Sequence, residues 1–250
     1  MDLGKIWRSI IEFDMLQAGD RVLIGFSGGK DSMLLTALLK EVQRHAPFAF
    51  DLAAFTVDTG FTKDFGEEKY ATFCHNWQID WQMEKINVPE LMKNHSPCYS
   101  CAYFRRALLS RKAKELGYNK IALAHHGDDA VATYLLNLFT SGQQKTFCPV
   151  TKMSRSGITV IRPLIYYREK EILDEVRSLN FTPIKNPCPF DGKTQRSQIQ
   201  KEIEELSQNY EYFYEHIFAA LRLQKGMELW PRKLTKEEMV DKFHDFWKNK

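Results

Sequence analysis

A glycine-rich turn between an apolar segment and a helical pattern constrains this chain most strongly. Residues 22–26 are apolar and predict a buried parallel strand, and residues 33–39 begin a helical pattern. Glycines let the backbone approach an anion, and the first N–H groups of a helix point at it. The spacing is not that of a Walker A loop, so we expect a phosphate site of another class. The turn combines hydroxyl, charged and glycine residues: Ser27, Gly28, Gly29, Lys30, Asp31 and Ser32.

Strand patterns alternate with helix patterns along the chain, which predicts a parallel sheet with helices on both faces. Residues 87–100 are predicted to be irregular, and a helix is predicted to begin at Tyr103. We therefore predict the α/β class, with a doubly wound parallel sheet and a helical C-terminal extension. The α/β domain is placed at residues 1–185, with a leading helix and an inserted CxxC loop, and residues 186–250 form the second region. Further strands are predicted at 50–57, 81–86, 120–124 and 158–161.

Polar residues follow two of these strands at their carboxyl ends, where parallel sheets bind ligands. Asp58 ends one strand and is a candidate contact for nucleotide or Mg²⁺; the alternative is a turn residue that caps Gly60. His125 follows another strand as a candidate nucleotide contact, or as a hydrogen-bonded histidine at a strand end. Asp128 and Asp129 open a helix, where carboxylates either hold Mg²⁺ or cap the N-terminus.

Three cysteines have the character of ligands. Cys98 and Cys101 form a CxxC pair, and two intervening residues let both thiolates reach one metal or cluster; a redox pair or a chance spacing are the alternatives. Cys188 lies between two prolines, where a core cysteine is less expected. Three thiolates suit a 4Fe–4S cluster with one open iron; the alternative is a structural zinc completed by a histidine such as His95. Two cysteines are weaker candidates: Cys74 and Cys148.

Basic and aromatic residues permit a nucleic-acid partner without requiring one. Arg105 and Arg106 follow the cysteine pair and are candidates for RNA phosphates or pyrophosphate; the alternative is a solvated helix face. The formal net charge is +3, which is only mildly basic. Several C-terminal aromatics either pack as a helical face, which we favour, or stack on bases: Tyr210, Tyr212, Phe213 and Tyr214.

In this order, the segments resemble one family, the tRNA 2-thiocytidine synthetases, which are PP-loop enzymes that carry an iron–sulfur cluster. Residues 27–32 match its SGGxDS signature, and residues 98–106 are similar to its CxxCxxxRR segment. Residues 120–129 are similar to its KIALGHHxDD segment, and Cys188 to its third cluster cysteine. The resemblance covers roughly residues 4–205, and the segment 226–250 departs from the usual family tail.

The resemblance implies a sheet of the PP-loop (adenine nucleotide alpha hydrolase-like) type and an ATP pyrophosphatase that acts as a tRNA sulfurtransferase. Such an enzyme adenylates a cytidine oxygen and replaces it with sulfur. It implies ATP, Mg²⁺ and a 4Fe–4S cluster as cofactors. It also implies tRNA, a sulfur donor such as a cysteine desulfurase, and a second copy of the chain as partners.

Other functions stay open at this point. A tRNA uridine thiolase of the same superfamily usually adds cysteine pairs near both ends, and a lysidine synthetase does not need the cysteine triad. A non-catalytic sensor that binds ATP and a cluster belongs to a different class. The chain has neither an N-terminal targeting pattern nor an apolar run that could span a bilayer, so we expect a cytoplasmic protein without a membrane partner.

Overall fold

A computed structural model describes residues 1–61, 65–91, 97–184, 195–222 and 234–248. The strands are β1 (Arg21–Gly25), β2 (Asp51–Asp58), β3 (Asp80–Lys85), β4 (Lys120–Ala122), β5 (Val150–Lys152) and β6 (Thr159–Ile161). The helices of the α/β part are α1 (Gly4–Glu12), α2 (Lys30–His45), α3 (Glu67–Asn76), α4 (Val88–Leu91), α5 (Pro97–Glu115), α6 (Gly127–Ser141) and α7 (Glu169–Ser178). Three helices follow: α8 (Gln195–Asn209), α9 (Phe213–Ala220) and α10 (Lys236–Lys248).

The strands form one sheet in the order β3-β2-β1-β4-β6-β5. All neighbouring strands pair in parallel except β5 and β6, which are antiparallel. The predicted α/β class with a doubly wound parallel sheet is therefore confirmed, and β5 adds an antiparallel strand at one edge. β1 lies between β2 and β4, so the turn that follows β1 opens at the middle of the sheet, where strand order reverses.

Alternation along β1 shows how both faces of the sheet are covered. Val22 and Ile24 are buried in a core shared with α1, α2, α3 and α7. Leu23 points to the other face and packs with Leu108 and Leu109 of α5. A strand buried on both faces is continuously apolar, which is the pattern that the sequence has here.

The first C-terminal helices pack on α6. Val131 and Leu135 of α6 form an apolar cluster with Ile199 and Ile203 of α8. Phe213 and other residues of α9 border the same cluster. None of the described helices combines the length and apolar character that a membrane span requires.

Two local differences from the sequence-based expectation concern residues 87–100 and β5. α4 covers Val88–Leu91, and α5 begins at Pro97 rather than at Tyr103. Proline suits the first position of a helix, since its φ is already helical and its missing N–H would have no partner there. β5 was not predicted, because a three-residue strand is too short to show an alternating pattern.

Candidate active site

Hydrogen bonds within the turn after β1 fix its shape. The Ser27 N–H donates to Ser32 Oγ at 3.2 Å, and the Ser32 hydroxyl donates to the Gly29 carbonyl at 2.9 Å. No described side chain caps the N-terminus of α2, which begins at Lys30. The first N–H groups of α2 therefore remain directed at the space above the turn, and such a helix end attracts an anion.

Gly28 is the one position in this turn that only glycine can occupy. Its φ is +76°, in the left-handed region. A Cβ there would lie 2.7 Å from Tyr70 Cε1 and 3.0 Å from Ile184 Cβ. Its carbonyl also accepts a hydrogen bond from the Ile184 N–H at 2.9 Å, so the turn is tied to the chain that follows α7.

Lys30, the cation of the turn, is held by two carboxylates. Its Nζ lies 3.2 Å from Asp31 Oδ1 and 3.0 Å from Glu169 Oε1, the first residue of α7. Burial acts to lower the pKa of Lys30, but the charges of Asp31 and Glu169 outweigh it and raise the pKa. Lys30 is therefore charged and already positioned at the start of α2.

His126 is buried and faces three carboxylates. Its Nε2 lies 4.0 Å from Asp31 Oδ1 and 3.6 Å from Asp129 Oδ2, and its Nδ1 lies 3.6 Å from Asp128 Oδ2. Burial acts to lower the pKa of His126, but these carboxylates raise it overall. Burial raises the pKa of Asp31, against the opposing charges of Lys30 and His126. The imidazole thereby joins the starts of α2 and α6.

Asp128 joins α6 to the start of α7. Its carboxylate accepts hydrogen bonds from Arg168 Nε at 3.0 and 3.1 Å and from the Glu169 N–H at 2.7 Å. Burial acts to raise the pKa of Asp128, but His126, the Glu169 N–H and Arg168 lower it overall. The Arg168 guanidinium also lies 3.4 Å from the ring centroid of Tyr214 in α9. A continuous set of contacts therefore runs from the phosphate turn to the C-terminal helices.

The other two predicted catalytic carboxylates accept backbone hydrogen bonds. Asp58 Oδ1 accepts the Gly60 N–H at 2.8 Å, and Asp129 Oδ2 accepts the His126 N–H at 3.2 Å. These are the turn and capping arrangements that the sequence left open as alternatives. Within the described part of the chain, no group of three Asp, Glu, His or Cys residues could hold a metal ion.

Two cavities open at the carboxyl ends of β1 and β2 and share Val57 and Arg105. The smaller has a volume of about 60 Å³ and is lined by Ser27 of the turn and by Cys101. The larger has a volume of about 420 Å³ and contains His125 in its wall. The structure thus brings the turn, the cysteine helix and the loop after β4 to one place. Apolar and basic residues complete the larger cavity, among them Phe55, Leu109, Leu123, Arg106 and Arg162.

The larger cavity is strongly basic. Arg105, Arg106 and Arg162 all line it, and none of them forms an ion pair with a described carboxylate. Arg162 Nη1 donates instead to the Cys148 carbonyl at 2.6 Å. Burial lowers the pKa of Arg162, and the positive charge of Arg106 acts in the same direction. Guanidinium groups without anionic partners favour the binding of phosphates.

The predicted metal ligands are only partly described. Cys101 is half-buried in the wall of the smaller cavity. Cys98 lies one turn earlier on α5, and its side chain is outside what is described. Cys188 and His95 lie outside the described residues. Cys148 is exposed in the loop before β5. Thiolate donors suit an iron–sulfur cluster, and Cys101 beside the phosphate turn fits such a group.

These features define a PP-loop protein. Residues 5–206 match the family described as PP-loop domain, and the chain belongs to that family. More narrowly, its relatives include two curated proteins named tRNA-cytidine(32) 2-sulfurtransferase. The protein from Ralstonia pickettii is 34% identical over 225 residues, which cover 88% of this chain and 71% of the relative. The protein from Geobacter metallireducens is 32% identical over 238 residues, 92% of each chain. The resemblance to the tRNA 2-thiocytidine synthetases is confirmed.

Solved structures agree on the fold. The U34-tRNA thiolase NcsA from Methanococcus maripaludis, with its [4Fe-4S] cluster, superposes with a TM-score of 0.74 at 24% identity. The match covers 92% of this chain and 82% of that one. The NH3-dependent NAD synthetase from Campylobacter jejuni has a TM-score of 0.52 at 16% identity, covering 94% of this chain and 100% of that one. At these identities the likeness concerns the fold alone.

Three residues at this site were missed by the sequence analysis. His126, rather than its neighbour His125, is the buried histidine that faces carboxylates. Arg168 contacts Asp128, which lies 40 positions earlier in the sequence. Glu169 contacts Lys30, which lies more than 130 positions earlier. The paired histidines of the HHGDD segment were a signal for His126, but a sequence does not say which of two adjacent side chains points inward.

Proposed function

We propose that this protein is an ATP-dependent tRNA sulfurtransferase that adenylates the 2-oxygen of a cytidine base and replaces that oxygen with sulfur. The observation that carries the proposal is the meeting of a phosphate turn, three arginines and Cys101 on two adjacent cavities that share Val57 and Arg105. The names of the curated relatives support tRNA thiolation as the reaction class.

The turn would hold the phosphates of ATP. The N–H groups of Gly28, Gly29 and the first turn of α2 would bind phosphate oxygens, and Ser27 and Ser32 would add hydroxyl donors. Lys30 would supply a positive charge, with Asp31 holding its ammonium in place. His125, in the wall of the larger cavity, would contact the nucleotide.

The base oxygen would attack the α-phosphate, forming a C–O–P link and releasing pyrophosphate. The adenylate makes that oxygen a good leaving group, so a sulfur nucleophile can add at the carbon and AMP can depart with the oxygen. Arg105 and Arg106 would neutralise the charge that develops on the phosphates, and catalysis would rest mainly on positioning and charge stabilisation. Asp58, Asp128 and Asp129 would act by holding backbone and basic groups of the site in place. We include Mg²⁺ as the counter-ion of the triphosphate.

Cys98, Cys101 and Cys188 would hold the cluster, which when bound supplies an open iron for carrying sulfur. Chain connectivity supports the third ligand. Ile184 donates a hydrogen bond to Gly28 of the phosphate turn, and Cys188 follows four residues later.

The remaining parts of the proposal concern organisation and partners. We place the ATP-binding domain at residues 1–185 and the third ligand and C-terminal helices at residues 186–250. Besides tRNA, a sulfur donor such as a cysteine desulfurase and a second copy of the chain are proposed partners, in the cytoplasm.

The test is a reaction of anaerobically purified protein with ATP, Mg²⁺, sulfide and an unmodified tRNA transcript, followed by mass spectrometry of the nucleosides. We expect 2-thiocytidine and one AMP per thiolated base, and about four irons and four sulfides per chain. Cys188→Ala should lose both iron and product, whereas the matched control Cys148→Ala should keep both. Formation of 2-thiouridine would make the protein a uridine thiolase, and the absence of AMP with tRNA and sulfide present would favour a sensor.

A further inference from the structure

An exposed tyrosine pair runs along α5 beside the two cavities. Tyr99 and Tyr103 are 59% and 55% exposed, although large aromatic side chains usually lie buried in a core. They lie four residues apart, and Arg106 follows three residues later, so all three share one face of the helix. We call these residues the tyrosine stripe. An exposed aromatic surface of this kind is typical of an interaction site.

The stripe ends at the opening of the larger cavity. Ala102, Arg105, Arg106 and Leu109, on an adjoining face of α5, line that cavity. Arg106 belongs to both surfaces: it is exposed, lies on the stripe and lines the cavity. A molecule that places one group in the cavity can therefore extend past Arg106 along α5 toward the two tyrosines.

The charge around the stripe selects an anionic partner. Arg105, Arg106 and Arg162 gather at the cavity without a described carboxylate to pair with. The carboxylates of Glu84 in β3 and of Glu115 in α5 pair with Arg111 and Lys112, at the end of α5 away from the cavity. Aromatic faces beside guanidinium groups that are open to phosphates are the combination that binds single-stranded nucleic acid, by base stacking and phosphate contact.

We propose that the tyrosine stripe is a stacking platform for unpaired RNA bases that flank the base held in the cavity. The inference rests on the proposed function and deepens it, because it assigns where the tRNA substrate lies on the protein. It requires the target to sit in a single-stranded loop, since the bases of a duplex are already stacked on one another and cannot also stack on the tyrosines.

The test measures binding of full-length protein to two probes by fluorescence anisotropy: an unmodified tRNA transcript and a fully paired RNA duplex. Tyr99→Leu/Tyr103→Leu keeps the apolar bulk but removes the rings. We expect the Kd for the transcript to rise roughly five- to hundredfold for each stacked base lost, with little change for the duplex or for ATP. Tyr99→Phe/Tyr103→Phe keeps the rings and should retain wild-type affinity, and unchanged ATP binding by the leucine variant excludes its misfolding as the cause.

The matched control is Phe139→Leu, which removes an aromatic ring that is 60% exposed on α6 and lines neither cavity. It should bind the transcript like the wild type. An unchanged Kd in the leucine variant, or equal weakening for transcript and duplex, would overturn the platform. A shift from dimer to monomer without loss of RNA affinity would also overturn it and make the stripe a contact between copies.

Binding and catalysis separate this inference from the proposed function. A wild-type protein that binds the transcript through the stripe but forms no thiolated nucleoside would contradict the proposed reaction and leave the platform intact. If the wild-type protein thiolates tRNA and the leucine variant has the same KM for tRNA as the wild type, only the platform is contradicted. A wild-type protein that does not bind the transcript would overturn both.

Discussion

Replacing Asp128 by asparagine tests whether its carboxylate holds the start of α7. Hydrogen bonds to a charged group contribute about 1.5–3 kcal/mol each, and Asp128 accepts them from Arg168 and from the Glu169 N–H. An asparagine keeps one acceptor for the N–H, so the main loss is the pairing with Arg168. Because the Arg168 side chain is 36% exposed, solvent screening places that loss in the lower part of the range.

The variant has a further cost in stability, because it removes one of the carboxylates that face the buried His126. The expected total is about 2–3 kcal/mol in the free energy of unfolding. For a chain of this size that corresponds to a fall in Tm of about 4–12 °C. Urea unfolding followed by circular dichroism measures the free energy, and calorimetry measures Tm.

The matched control is Asp174→Asn, in α7, the helix whose start Asp128 contacts. Asp174 pairs with Arg177 at 3.6 Å, but both side chains are exposed, so we expect a loss well under 1 kcal/mol. A double-mutant cycle of Asp128→Asn with Arg168→Met should give a coupling energy of about 1.5 kcal/mol or more. Equal losses at Asp128 and Asp174, or no coupling in the cycle, would refute the reasoning.

Acid should remove the effect. The folded-state pKa of Asp128 is lowered from its ordinary value of 3.8, so its stabilising contribution is complete above that pH and is lost as the pH falls through the folded pKa. The difference in unfolding free energy between wild type and Asp128→Asn should therefore narrow below about pH 3.8. A difference that stayed constant to pH 3 would mean that the carboxylate charge is not its source.

Three further predictions concern the phosphate turn and the cysteines. Glu169→Gln removes one anionic partner of Lys30 and should lower the Kd for ATP severalfold, measured by calorimetric titration; a higher Kd would mean that the carboxylate assists nucleotide binding. Gly28→Ala should abolish ATP binding and lower Tm by several degrees, since its Cβ would meet an aromatic ring at 2.7 Å. Cys74, whose pKa burial raises to about 12, should resist a maleimide at pH 8, whereas exposed Cys148 should react within minutes; labelling of Cys74 in the native protein would contradict its burial.

The sequence predicted the parts of the fold that rest on local patterns. A phosphate turn is predicted without any tertiary information, because an apolar run precedes Ser27 and glycines and a helix follow it. The loops after β2 and β4 were expected beside it, because the carboxyl ends of parallel strands share one edge of the sheet. The start of α5 at Pro97 was not predicted but could have been, since proline favours the first position of a helix.

The rest depends on contacts that no local pattern encodes. Glu169 reaches Lys30 only because α7 packs beside α2, and the spacing in sequence carries no sign of that pairing. His126 is buried and His125 lines a cavity because neighbouring residues in an extended segment point in opposite directions. Tyr210 and Tyr212 are exposed, whereas Phe213 and Tyr214 border the cluster of α6, so packing holds for only part of the C-terminal aromatic group.

The central position of β1 has a consequence for how the chain is made. Val22 of β1 pairs with Lys120 of β4, so a ribosome must add 98 residues after one partner before the other exists. At roughly 5–20 residues per second, that interval lasts roughly 5–20 s. Throughout it, one edge of an apolar strand has no neighbour, and such edges promote aggregation. During synthesis the chain is therefore most exposed to wrong strand pairing at this edge until β4 emerges.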